Sequence, residues 1–555
     1  MSDRYPDRRQ FVATSTAAML AACAAPLVRK RAASDLIIRG GTVFDGSGAA
    51  GVELDVAMTA GRITAIGRNL AERGTEEIDA RGLAVAPGFI DIHSHGDGNL
   101  EEDPRQETLI RQGLTTIVVG QDGSSRAPKP PGARAPARGA EPGEETAQSF
   151  GAVFDAINKV QPSVNVASMI GLGSVRAAVV GEDDRPATPA EMERMVALVQ
   201  QALAQGACGA SSGLEYTPGA FAPLGELIDL CKPLAGRNLP YATHMRNEDD
   251  QLLDAIDESI AVARGAKCRL QVSHLKTQGP RNWNKLDTAF ARIMDARKAG
   301  IDAAFDRYPY IAYQTGLSNL FPVWSKDGGT PAFLGRLTAQ GSALRIRAEA
   351  IGKVDLIGGW DNVLIASARA AQDRPAEGKR LGAYAKSIGA DPYDLSVAML
   401  QRNNGSVGMV GFAMSEENLD RILAHQYGMV CSDGGSFAID GPTRRGSPHP
   451  RGAGSFPRVI ARYVRERKAL TLEQAIHKMT ALPASRVRLN DRGRLLVGKA
   501  ADVVVFDAAK IADTATYEQP FSYPVGINVV VVNGVIALRD GQRGTQRTGR
   551  AIEPS

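Results

Sequence analysis

The sequence predicts an α/β protein: a (β/α)8, TIM-like barrel, a small β-sandwich domain built from both chain ends, and a helical insertion before the last barrel strand. Three observations predict it. Eight short apolar runs recur through the middle of the chain, each followed by helical periodicity. Both ends instead alternate in short strands with glycine turns. One span, about 318–403, is too long for a single connection and carries helical patterns of its own. A doubly wound sheet is the alternative architecture.

Taken in order, residues 1–33 read as an export signal and linker. Arg8 and Arg9 precede a short Ala-rich apolar stretch, which resembles a twin-arginine signal. Leu20-Ala21-Ala22-Cys23 resembles a lipoprotein box with Cys23 as the lipidated residue; an ordinary cleaved signal ending near Ala24 is the alternative. The expected location is therefore exported and periplasmic. No later stretch reaches ~18 uncharged apolar residues, so no transmembrane segment is expected.

Residues 34–86 form the first part of the β domain, with DLIIRGGTVFDG and ELDVAMTAGRITAIG as its strands. Residues 481–545 form the second part, where RLLVGKAADVVVFD and NVVVVNGVIALRDG have the same character and Val-Asn-Gly-Val signals a hairpin. Residues 546–555 are left as a tail. The barrel occupies 87–480, with strands in GFIDIHSH, TTIVVGQD, VNVASMIGLG, GASSGLEY, PYATHMRNE, RLQVSHLK, AAFDRYPY and GMVCSDGG. Helices are expected at 188–206, 251–265 and 286–300. Thr188 with Glu191 makes a capping box around Pro189. RAPKPPGARAPARGAEPG, 126–143, is a loop composition.

The net charge of +4 is small for 555 residues, and no run of five Lys/Arg occurs, which argues against a nucleic-acid partner. Cys208, Cys231, Cys268 and Cys431 lack metal-ribbon or disulfide spacing and are expected as buried single thiols.

In a parallel barrel, side chains at the strand C-termini converge on one face. Strand one ends in His93 and His95, which two-residue spacing sends to the same side. Strand two leads to Asp122, strand four to Glu215, strand five to His244, strand six to His274, strand seven to Asp306 and Tyr308, and strand eight to Asp433. Four of the seven histidines thus fall on one rim. Imidazole and carboxylate donors with an open position suit Zn²⁺, which lowers the pKa of bound water toward ~7. An oxygen-rich set also suits Mn²⁺ or another divalent ion.

PGFIDIHSH, the later histidines on strands five and six, and SDG on strand eight resemble the amidohydrolase superfamily, in particular its D-aminoacylase (N-acyl-D-amino-acid deacylase) branch. GLTTIVVG, SSGLEYTPG, THMRNE, QVSHLK, the YPY of DRYPY, CSDG and HPRGAGSFPR stand in the expected order, so the resemblance covers roughly 35–545. It implies a tightly bound zinc on His244, His274 and the residue at 122, and a second, weaker metal position on His93 and His95. It implies Asp433 as general base and acid, and Lys276, Tyr308 and Arg451 as holders of the substrate's α-carboxylate. Relatives commonly have Cys where this chain has Asp122. A carboxylate is harder than a thiolate and bridges two metals, so the departure favours a two-metal site. Glu215 is read either as touching the metal or its water or, preferred, as hydrogen-bonding the metal ligands from behind, the role also expected of Asp306.

The implied activity is hydrolysis of N-acyl-D-amino acids, with a small N-acyl amino acid as the only partner expected. A cyclic amidase or dipeptidase of the same superfamily is the first alternative; many cyclic amidases carry a carboxylated lysine on strand four, and GASSGLEY offers none. A non-catalytic exported binding protein is the second. His449 is read either as a pocket residue or as a loop-ordering one, His425 and His477 as structural, and Arg307 either as a substrate contact or as half of a salt bridge. Oligomeric state and side-chain preference are left open.

Overall fold

The computed structural model describes residues 34–129 and 149–555. The export segment with Arg8, Arg9 and Cys23, and most of the 126–143 stretch, lie outside the described residues.

All eight expected strands form: Phe89–Asp91, Leu114–Val119, Asn165–Ser168 continuing as Ile170–Gly171, Ala210–Gly213, Pro240–His244, Arg269–Val272, Ala303–Arg307 and Gly428–Val430. Each pairs in parallel with the next. The first and eighth meet just past their ends: Asp433 N donates to His93 O at 2.9 Å and His95 N to Gly434 O at 3.0 Å. Strand Leu114–Val119 is buried at every position, as a parallel strand covered on both faces must be. The helix Pro189–Ala204 starts on the expected capping box, with Thr188 accepting from Glu191 N and the Glu191 carboxylate accepting from Thr188 N.

The two chain ends meet where Val503–Phe506 lies antiparallel to Ala84–Pro87. Two packed sheets were expected; the structure instead joins nine strands in one connected sheet. The cause is local. Ser34–Val43 bends at Gly40, whose φ of 64° favours glycine. Before the bend it pairs with Gly74–Asp79, and after it with Ala84–Pro87. One strand therefore stitches both halves together around a core that includes Ile38, Val56, Val505 and Val531.

The insertion holds the helices Gly329–Arg336, Ala343–Leu356, Leu381–Ser387 and Pro392–Arg402. It is more than helical. Ala312–Gly316, Val407–Phe412 and Val363–Ala368 form a three-stranded antiparallel sheet that frames it. The last ten residues do not hang free either. Val166 N donates to Arg550 O and Ile552 N to Val166 O, both at 2.9 Å, and Ile552 is buried. The chain end thus covers the edge of the strand Asn165–Ser168.

Candidate metal centre

The strand-end residues converge, but turns rather than strands aim three of them. Asp122, His274 and Asp433 have φ of 52°, 34° and 48°. Such left-handed backbone costs on the order of 1–3 kcal/mol at each non-glycine residue and clusters at functional sites. The Asp122 turn lies across the end of Ala210–Gly213, where an added Cβ on Gly213 would sit 2.1 Å from Asp122 O. Only glycine leaves room there.

Four histidine nitrogens face inward around Asp122. His93 Nε2 lies 3.4 Å and His274 Nε2 3.4 Å from Asp122 Oδ1, while His95 Nε2 lies 3.4 Å from Oδ2. His244 Nδ1 lies 3.0 Å from His274 Nε2 and 4.0 Å from Asp122 Oδ1. Asp433 Oδ1 completes one side, 3.5 Å from His93 Nε2 and 3.2 Å from His95 Nε2. Two donor groups result, His93/His95/Asp122/Asp433 and Asp122/His244/His274, with the donor atoms of each within 4.8 Å of one another. Asp122 belongs to both.

These residues fit a divalent metal. His93 Nε2 and Asp122 Oδ1 are buried and have no hydrogen-bond partner among the described residues. Leaving such atoms unpaired costs about 1–3 kcal/mol each, and an ion between them removes that cost. Imidazole plus carboxylate is the donor chemistry of zinc and of harder divalent ions.

The outward nitrogens face carboxylates, an arrangement that orients metal-binding histidines, although His93 Nδ1 and His244 Nε2 make no hydrogen bond among the described residues. His93 Nδ1 lies 3.6 Å from Asp306 Oδ1, and Asp306 is itself fixed by His274 N at 2.7 Å and Gln271 Nε2 at 2.6 Å. His244 Nε2 lies 3.5 Å from Glu215. Sequence reasoning missed the third carboxylate. Glu248 approaches His274 Nδ1 at 3.1 Å and His244 Nε2 at 3.8 Å, and accepts from Lys276 Nζ at 2.6 and 2.7 Å. It stands inside THMRNE, four residues beyond His244, in a loop whose path only the tertiary structure reveals.

Beside the metal ligands opens a cavity of about 660 Å³ lined by Lys276, Tyr308 and Arg451 among others. The Tyr308 hydroxyl is buried without a hydrogen-bond partner among the described residues, and the Arg451 guanidinium lies over its ring at 4.7 Å. Arg451 Nη1 donates to Asp433 Oδ2 at 2.6 Å. Burial pushes the Asp433 carboxyl up, yet Arg451, His274 and His95 override it and hold the group below the usual carboxylate range. Burial likewise opposes ionisation of Asp122 and loses to His93 and His274. Asp433 is thus a carboxylate with one oxygen pinned by a guanidinium and the other facing the donors.

His449 orders its loop: Nε2 lies 3.0 Å from Ala312 O and Nδ1 accepts from Arg451 N at 2.9 Å. His425 stacks on Phe290 at 4.6 Å, and His477 Nδ1 meets Gly46 O at 2.9 Å. Among the described residues Arg307 makes no salt bridge and does not line the cavity; it donates to Tyr310 O at 2.8 Å and packs on Tyr308. Cys208, Cys231, Cys268 and Cys431 are buried free thiols, and burial pushes Cys208 up to about 12.

Comparison with known proteins places this geometry. The model of the amidohydrolase family matches residues 76–314 and 436–538. The N-acyl-D-glutamate deacylase of Alcaligenes xylosoxydans xylosoxydans is 37% identical over 501 residues, 90% of this chain and 93% of that protein. The D-aminoacylase of the same organism is 34% identical, covering 93% of this chain and 97% of its own. The crystal structure of N-acyl-D-glutamate deacylase from Bordetella bronchiseptica, complexed with zinc and a phosphonate mimic of the tetrahedral intermediate, superposes with a TM-score of 0.79 at 35% identity. The match covers 94% of this chain and 99% of that one.

Proposed function

The chain belongs to the amidohydrolase family, and on that footing we propose that it hydrolyses the amide of N-acyl-D-amino acids to a carboxylate and a free D-amino acid. One observation carries this reading. Two histidine–carboxylate donor groups sharing Asp122 open onto a cavity that is also lined by Lys276, Tyr308 and Arg451. The ring of eight parallel strands is read as the expected (β/α)8 barrel, supported by the hydrogen bonds between the ends of strands one and eight.

A divalent ion, read as zinc, would be held by His244, His274 and Asp122, with a second position at His93, His95, Asp122 and Asp433. When bound, it supplies Lewis-acid polarisation of the scissile carbonyl and activation of water. The residues do the rest. Lys276, Tyr308 and Arg451 hold the α-carboxylate and fix the amide over the donors. Asp433 takes the proton from the attacking water as the C–O bond forms. It delivers that proton to nitrogen as the C–N bond breaks, so an amine rather than an amide anion departs. Asp306, Glu215 and Glu248 flank the outer nitrogens of the histidines and hold their orientation.

The test uses paired N-acetyl-D- and N-acetyl-L-amino acids of Met, Leu and Phe. D-substrates alone are expected to release free amino acid, with loss of activity on chelation and recovery on zinc addition. Release from neither series by metal-loaded protein would overturn the reading, and release from the L series would overturn its chirality.

The Arg8-Arg9 pair and its Ala-rich sequel support export to the periplasm by the twin-arginine route, with Cys23 as a lipid attachment point. Replacing both arginines with lysine is expected to leave the protein in the cytoplasmic fraction. Unchanged periplasmic recovery would discard that route.

A further inference from the structure

The geometry points to a substrate pocket built for uncharged side chains and set against acidic ones, an assignment that rests on the deacylase reading. Two relatives are named for glutamate, whose side chain brings a second carboxylate. Such a group needs a cation of its own, because a carboxylate stripped of water without a partner is strongly disfavoured. Among the described residues, the cavity wall offers two non-histidine cations, Lys276 and Arg451. Both are already committed. Lys276 donates to Glu248 at 2.6 Å and Arg451 to Asp433 at 2.6 Å, and in the deacylase reading both hold the α-carboxylate.

Among the described residues, the rest of the wall carries no cation to spare. Tyr216, Gln314, Thr315 and Asn319 are neutral hydrogen-bonding groups. The charge among them is negative: Glu215 Oε2 accepts from Asn319 Nδ2 at 3.2 Å. Lys353 pairs with both Asp249 and Glu215, the latter at 3.8 Å, so it is committed to carboxylates of the protein, and it is not part of the wall; nor is Lys326. An acidic side chain entering here meets a carboxylate and amides, whereas its amide counterpart finds donors and acceptors for both ends. Repulsion of the wrong ligand by a like charge gives specificity without new attraction to the right one.

Isosteric pairs test this on the full chain loaded with zinc. N-acetyl-D-glutamine is expected to exceed N-acetyl-D-glutamate in kcat/KM by at least about tenfold, and N-acetyl-D-asparagine to exceed N-acetyl-D-aspartate likewise. Equal or better use of the acids would overturn the assignment. In Glu215→Gln the amide-to-acid ratio is expected to fall toward one; because both substrates meet the same variant, any loss of metal cancels in the ratio. An unchanged ratio would remove Glu215 as the determinant. No turnover of either pair or of N-acetyl-D-methionine would instead overturn the deacylase reading itself, and this assignment with it.

Discussion

Asp433→Asn is expected to lower kcat by roughly 10²–10⁴-fold, the usual worth of a positioned acid–base group. Asparagine keeps the shape but neither accepts the water proton nor returns it to nitrogen. The side effects are predictable from the same contacts. Arg451, buried and bonded to Asp433 Oδ2, loses its charged partner. Truncating one member of a buried ion pair costs up to about 3–5 kcal/mol, so a lower thermal midpoint is expected as well. Asp433 Oδ1 also belongs to the His93/His95 donor group. Metal analysis should therefore show weakened occupancy at that position, with the His244/His274/Asp122 position retained. A variant that keeps metal at the second position and still loses kcat isolates the proton-transfer role. Unchanged kcat at any metal loading would remove Asp433 from the chemistry.

Glu248→Gln is expected to weaken metal binding by about 10–100-fold, the range seen when partners behind metal ligands are removed. Its carboxylate lies against the outer nitrogens of both His274 and His244, so one neutral substitution loosens two ligands together. It also strands the Lys276 ammonium, which burial opposes and Glu248 sustains. The readout is competition with a chelator of known affinity, alongside the thermal midpoint of the apoprotein. A purely structural role would lower the midpoint and leave the affinity ratio unmoved. Wild-type affinity in a folded variant would discard the positioning role.

The donor residues were legible because a parallel strand points alternate side chains the same way, and chemistry gathers where such strands end. His93, His95, His244 and His274 could be read from that rule, and Asp122 and Asp433 from their place just past an apolar run. Glu248 was not legible. A residue four positions past a strand end lies on a loop, and no periodicity says whether that loop turns back beneath the site or away from it. The positive φ angles of Asp122, His274 and Asp433 were equally hidden. Local preference disfavours them, and only the surrounding packing holds them.

The sequence by itself determined the order of strands and helices and the assignment of both ends to one β domain, which depend on hydrophobic period and survive without coordinates. The family and its reaction came from the resemblance of its motifs to known amidohydrolases. The tertiary structure alone decided three things. The bend at Gly40 merged the β domain into one sheet, because a strand's second edge finds its partner only in space. Residues 546–555 returned to cover the strand Asn165–Ser168, because an exposed backbone edge is satisfied by whichever segment reaches it. The cavity brings Glu215 together with Tyr216, Gln314, Thr315 and Asn319, because which loops converge on a pocket is set by packing and not by spacing along the chain.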